Sequence, residues 1–181
     1  MSELKWFKAN APASPVEHST SFDRNRELLA ARGIRLERWE ARDEITAGDP
    51  EQKVIDAYRE DIDRLMTREG YVTVDVVSIH PTHPDRATMR QKFLAEHTHG
   101  EDEVRFFVDG QGLFSLHLDD DVFEVLCQRG ELISVPANTP HWFDMGPNPS
   151  FVAIRLFNNP EGWVAKFTGS DIADRFSRLE N

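Results

Sequence analysis

From Tyr71 to Phe157 the chain leaves helical periodicity for a succession of short β-rich runs, and this pattern restricts the fold most. The runs are YVTVDVVSI, EVRFFV, LFSLHL, VFEVLC, LISVP and FVAIRLF. Turn-forming clusters separate them: Asp109-Gly110-Gln111-Gly112, Asp119-Asp120-Asp121, Gln128-Arg129-Gly130 and Gly146-Pro147-Asn148-Pro149. β-Branched and aromatic residues fit a pleated surface, and short strands at near-regular spacing predict an antiparallel barrel or sandwich.

The flanks read differently. Ser21 caps a helix over FDRNRELLAARG that closes at Gly33, and IRLERWEA follows as a strand. Asp49-Pro50 opens a second helix, with Val54, Tyr58, Ile62 and Leu65 at helical spacing and Gly70 just past its end. In the tail, SDIADRFSRL sets Ile172, Phe176 and Leu179 on one helical face. Amphipathic helices of this kind pack on the outside of a sheet. A chain of 181 residues suits one domain, and about 70% of its unfolded surface can be buried without staples. The reading is therefore a single domain over residues 1–181. Residues 1–70 form a mixed, helical part packed on the barrel, 71–157 the barrel core, and 158–181 a C-terminal loop and helix.

Charge narrows the partners. The formal net charge is −11, a field that repels phosphate backbones and anionic lipid, so neither nucleic acid nor membrane is expected. Cys127 is the one cysteine, which excludes an intrachain disulfide and suits a reducing compartment. No apolar run has signal-peptide or membrane-span length. The expectation is a cytoplasmic protein, and nothing demands assembly beyond a monomer.

The chemistry concentrates at HTHGEDE, residues 97–103. Residues two apart on an extended chain face the same side, so His97 and His99 point together, and Glu103 has the same parity. Two imidazoles and a carboxylate make half of a divalent-metal site, although the pair also fits a solvated strand end. One hairpin later, GELISVP ends in a turn, ANTP, directly before His141. That histidine is placed either as a fourth ligand or as packing beside Trp142. Arg105 and Phe107 share the parity of Glu103, whereas Val104, Phe106 and Val108 face the other way. An arginine pointed into a barrel is costly unless it is paired or meets an anion; the other reading is a rim contact to Glu101 or Asp102.

These two segments together resemble the paired motifs of the cupin superfamily. His97, His99, Glu103 and Gly110 fit the first motif, and Gly130, Pro136 and His141 fit the second. Gln91, Asn138 and Met145 depart from it at positions that shape loops. The longer strings HTHGEDEVRFFVDGQGLF, LISVPANTPHWFDMG and FNNPEGW are similar to the acireductone dioxygenase family of methionine salvage.

The resemblance implies a mainly β, cupin-type antiparallel barrel (a double-stranded β-helix) with peripheral helices. It implies one Fe(II) or Ni(II) per chain, held by His97, His99, Glu103 and His141. Such a donor set leaves two adjacent octahedral positions open, which suits a chelating enediol. The substrates implied are O2 and the acireductone 1,2-dihydroxy-3-keto-5-methylthiopentene. With iron the products are formate and 4-methylthio-2-oxobutanoate; with nickel they are formate, CO and 3-methylthiopropanoate.

The same resemblance gives Arg105 the task of favouring the substrate dianion, and Glu96 and Asp102 supporting parts in metal incorporation. Arg155 in FVAIRLF is a further pocket candidate. Phe107, Phe143 and Trp163 could wall a methylthio tail, or could be core. His80 and His83 read as rigid-turn residues, His117 as a satisfied barrel histidine, and His18 as exposed. Another cupin dioxygenase, or a non-catalytic metal- or sugar-binding cupin, is the competing reading.

Overall fold

The computed structural model describes residues 2–42, 44–159 and 164–180. The chain opens with strands β1 (Glu3–Lys8) and β2 (Glu17–Ser19), helix α1 (Phe22–Ala30) and strand β3 (Arg35–Arg38). Ser21 caps α1 by accepting the Arg24 N–H, as its side chain predicts. Helices α2 (Glu51–Ala57) and α3 (Arg59–Glu69), strand β4 (Thr73–Ile79) and helix α4 (Arg86–Leu94) follow. The site-bearing strands are β5 (His97–Thr98), β6 (Glu103–Leu118), β7 (Asp121–Gln128), β8 (Glu131–Val135), β9 (His141–Asp144) and β10 (Phe151–Phe157). A short β11 (Lys166–Phe167) and a 3-10 turn (Ile172–Arg175) close the chain.

The expected antiparallel, strand-dominated architecture is what forms, built as two sheets that share β6. One sheet runs β11-β5-β9-β6-β7-β1-β2; in the other, β4 pairs β10, β10 and β8 flank β6, and β3 pairs β8. Among the described residues no ladder joins the outer strands, so the barrel is open rather than ringed. β6 makes this possible. The DGQG segment, read as a turn between strands, lies inside one 16-residue strand. The strand bends instead of reversing because Gly110 has φ +73 and packs its bare Cα against β10, where a Cβ would come within 2.7 Å of the Phe151 Cα. The opposing register shifts between Val152 and Ala153.

Parity sorts the core on either side of the Gly110 bend, where it switches. Phe107, Phe114 and Leu116 face inward between the sheets with Phe123, Ile133, Phe143 and Phe151. Val104, Phe106 and Val108 face outward and are covered by Val54, Tyr58, Ile62 and Leu65 of α2 and α3. That covering helix is broken where the sequence reads as continuous. Tyr58 adopts φ −111 and ψ 16, turning its ring onto Phe106 at 5.2 Å and letting its hydroxyl accept the Arg42 N–H at 2.6 Å. Gly70 ends α3 in the left-handed region, as expected.

The tail also differs from expectation. It forms one 3-10 turn rather than an α-helix, with Ile172 and Phe176 packed on Phe7, Val122 and Trp142 outside the first sheet. Buried Asp144 fixes its end: Arg90 donates two bonds to that carboxylate, and Leu179 N donates at 2.9 Å. Capture of the backbone by a tertiary carboxylate competes with helical i→i−4 bonding. No described helix is long and apolar enough to cross a membrane.

Candidate metal centre

The sequence brings HTHGEDE and His141 together through a three-way registration. His97 on β5 pairs directly with His141 on β9, and Glu103 begins β6 beside Val135 of β8. The turn before His141 is tied to the histidine loop twice: Asn138 N donates to the His99 carbonyl at 2.7 Å, and Ala137 N donates to Asp102 Oδ1 at 2.9 Å. Asn138 supplies the turn's left-handed residue, φ 62, a conformation asparagine tolerates without glycine. Asp102, on sequence a solvated acid, is thus a positioning group for the loop that carries His141.

The three imidazoles converge. His97 and His141 ring centroids lie 4.5 Å apart, His97 and His99 5.0 Å, and His99 and His141 5.1 Å. One ring nitrogen of each falls within 4.8 Å of the others. All three are oriented from behind. Facing a carbonyl, each Nδ1–H must donate: His97 to Ala95 at 2.8 Å, His141 to Thr139 at 2.8 Å, and His99 to Val164 at 3.2 Å. This fixes the tautomer and leaves every Nε2 as a lone pair aimed inward, the arrangement that orients metal-ligating histidines.

Glu103 completes the cluster, with Oε2 2.8 Å from His141 Nε2 and 3.4 Å from His99 Nε2. Among the described residues neither Glu103 Oε2 nor His141 Nε2 has a hydrogen-bond partner outside this cluster. Two buried acceptors facing each other at this distance require a cation or a proton between them. Burial holds His97 down at about 4, so it is neutral and able to ligate. Burial opposes ionisation of Glu103, but the Arg105 guanidinium beside it outweighs that and holds its pKa well below the usual carboxylate range. Neutral imidazoles, an ionised carboxylate and no thiolate form a donor set that fits Fe(II), Ni(II) and similar divalent ions.

Arg105 is buried, not a rim residue. Its Nη2 donates to Glu103 Oε1 at 2.9 Å, and its guanidinium lies 4.5 Å from the Phe143 ring centre and 5.2 Å from that of Phe114. Arg155 stands directly opposite it across the ladder, held by Asp75 through two bonds of 2.8 and 2.5 Å. The four donors, both arginines and Phe143 line a cavity of about 90 Å³. Lys92 and Phe93 of α4 complete its wall. Sequence reasoning missed both because α4 is weakly patterned; the position of Phe93 four residues before His97 is the one local hint.

The other expectations divide. Phe107 is not in the cavity wall; it sits deeper, among Phe114, Phe143 and Phe151. Parity gave it the right face, but β6 carries it past the cavity into the core. Trp163 lies outside the described residues. Glu96 faces away from the donors: it accepts from His117 Nδ1 at 2.7 Å and Thr168 Oγ1 at 2.7 Å. It thereby ties β5 to the segment whose Phe167 ring lies 5.8 Å from that of His97. His80 and His83 form a half-buried loop pair, and His18 is exposed beside Glu3.

Comparisons with known proteins bear on this geometry. The model of the ARD/ARD′ family matches residues 6–165. A protein named acireductone dioxygenase from Alcanivorax borkumensis is 61% identical over 178 residues, 98% of each chain. One of the same name from Pseudomonas fluorescens is 58% identical over the full length of both. Among solved structures, an acireductone dioxygenase from Bacillus anthracis with a cadmium ion in its active centre superposes with a TM-score of 0.79. It is 27% identical, and the match covers 92% of this chain and 98% of that one.

Proposed function

The chain belongs to the ARD/ARD′ family, and from that premise we propose that it oxidises 1,2-dihydroxy-3-keto-5-methylthiopentene with O2 at the His97, His99, Glu103 and His141 centre. It is a metal-dependent dioxygenase. The observation that carries the assignment of these residues is the buried pair of acceptors, Glu103 Oε2 and His141 Nε2, facing each other 2.8 Å apart. Fe(II) or Ni(II) is the cation that fits. When bound it supplies a Lewis acid that polarises the enediol oxygens.

The chain's own groups do the rest. Arg105 puts a permanent positive charge at the cavity floor, where the low dielectric favours ionised over neutral enediol. Its bond to Glu103 aims the guanidinium, and Arg155, fixed by Asp75, adds a second cation opposite. An acidic protein thereby presents an anion-selective pocket. Lys92 extends that field to the mouth. Phe143 and Phe93 offer the apolar wall that a methylthio group prefers, and together they exclude water from the enediol carbons. Asp102 and Glu96 act through the loops they hold.

Each turnover consumes one O2 and cleaves the carbon chain. Iron-loaded enzyme yields formate and 4-methylthio-2-oxobutanoate; nickel-loaded enzyme yields formate, CO and 3-methylthiopropanoate. Buried, unpaired Cys127 supports a reducing, cytoplasmic setting. The scattering of exposed large apolar side chains supports a monomer. The test is metal-reconstituted enzyme given acireductone in an oxygen electrode, with products separated by chromatography. Equal consumption of substrate and O2 is expected, and metal-replete enzyme that leaves the substrate untouched refutes the reading.

A further inference from the structure

We propose that Ala165 and Phe167 hold the substrate's methylthioethyl tail and so determine which acireductones the enzyme accepts. This rests on the acireductone reading above and extends it from the enediol head to the tail. The cavity itself has room for the head alone. At about 90 Å³ it falls well short of the roughly 300–1,000 Å³ of pockets that enclose a drug-sized ligand. Its buried lining is polar apart from Phe143: three imidazoles, Glu103 and Arg105. An oxygen-rich head seated there leaves the tail to run out through the mouth.

Less buried side chains mark that mouth: Lys92 and Phe93 at the end of α4, Arg155 on β10, and Ala165 just before β11. An uncharged tail gains nothing from the two cations, which leaves Phe93 and Ala165 as its apolar contacts. Ala165 has the smallest side chain of the lining, so it leaves the most room for a chain to pass. Residues two apart on an extended backbone share a face, so Phe167 continues the surface that Ala165 begins. The Phe167 ring lies 5.8 Å from that of His97, yet the residue is 57% exposed.

That exposure is what the tail covers. A ring left in water beside the histidine cluster is apolar surface that a bound chain dehydrates, and a thioether sulfur packs favourably on an aromatic ring. The backbone here is fixed. The Val164 carbonyl accepts His99 Nδ1–H at 3.2 Å, Lys166 and Phe167 pair with Thr98 and His97, and Thr168 N donates to the Glu96 carbonyl at 3.1 Å. Ala165 and Phe167 therefore act as a preformed wall. Each methylene buried on it should be worth about fourfold in affinity.

The test compares 1,2-dihydroxy-3-keto-5-methylthiopentene with 1,2-dihydroxy-3-ketobutene, which has the same head and a methyl in place of the methylthioethyl tail. Each is titrated into nickel-loaded enzyme without oxygen, followed by the enediolate absorbance, and O2 is then admitted to measure kcat and KM. The parent should bind the long substrate about tenfold or more tighter than the short one. Ala165→Leu should weaken the long substrate about tenfold or more and leave the short one within about twofold. Phe167→Ser should cost the long substrate alone about five- to tenfold, and Phe167→Leu, which keeps an apolar surface, should restore most of that. Equal affinity of the parent for the two substrates, or equal losses on both in either damaging variant, overturns the proposal. Binding that follows the expected pattern with no oxidation once O2 is admitted fails the dioxygenase reading and leaves the tail site standing.

Discussion

Replacing Arg105 with methionine removes the cation beside Glu103 while keeping most of the volume, and its cost should depend on the metal. At 2.9 Å and an effective dielectric of about 20, the pair attracts by about 6 kcal/mol before desolvation. Breaking a buried pair by removing one partner costs about 3–5 kcal/mol. In metal-free enzyme that cost falls in full, because Glu103 is left among imidazoles with no fixed cation. In loaded enzyme the metal answers the Glu103 charge, leaving the lost contacts to the Phe143 and Phe114 rings, about 1–2 kcal/mol. At about 2–4 °C per kcal/mol for a chain of this size, the melting temperature should fall by about 6–20 °C without metal and about 2–8 °C with it.

Calorimetry of parent and variant, with chelator and with Fe(II) or Ni(II), reads both values. Equal losses in the two forms would refute the argument. The pH dependence has a definite sign. The folded pKa of Glu103 is depressed, so its stabilising contribution is present above the unfolded carboxylate value and lost as pH falls through the folded one. The variant should lack that acid slope.

Asp102→Ala removes the acceptor for Ala137 N–H and loosens the turn before His141. Metal affinity measured by chelator competition should drop about 10–100-fold with little change in melting temperature; unchanged affinity would show that the turn holds itself. Gly112→Ala places a methyl against the Phe143 ring, driving that ring toward the cavity. KM for acireductone should rise several-fold more than kcat falls, and an unaltered KM would mean that Phe143 does not border the substrate. Glu124 has its folded pKa raised from 4.5 to about 6, so its effect on stability is favourable below about 4.5 and lost as pH rises through about 6. Glu124→Gln should therefore exceed the parent by on the order of 2 kcal/mol in urea denaturation at pH 8 and match it at pH 4. An offset equal at both pH values would contradict the burial of that carboxyl.

Much of the site could be read along the chain because its parts lie within single elements. The spacing of His97, His99 and Glu103 required only an extended backbone, and the same parity sent Arg105 inward and Phe106 outward. Local signals also marked the Ser21 cap, the Gly70 stop and the strand character of residues 71–157. They failed where a local signal had a tertiary use. Asp109-Gly110-Gln111-Gly112 resembles a hairpin turn, yet Gly110 serves a close approach between strands. The tail has helical spacing, yet Asp144 takes its backbone N–H.

The sequence alone determined which side chains share a face and where elements start and stop, since periodicity and capping act over a few residues. Only the tertiary structure decided what those faces meet. It paired His97 with His141 and Arg155 with Asp75, brought Lys92 and Phe93 of α4 over the donors, and buried Glu124 beneath the tail. Most of these contacts join residues far apart in the chain, and register and packing set such contacts where local pattern cannot.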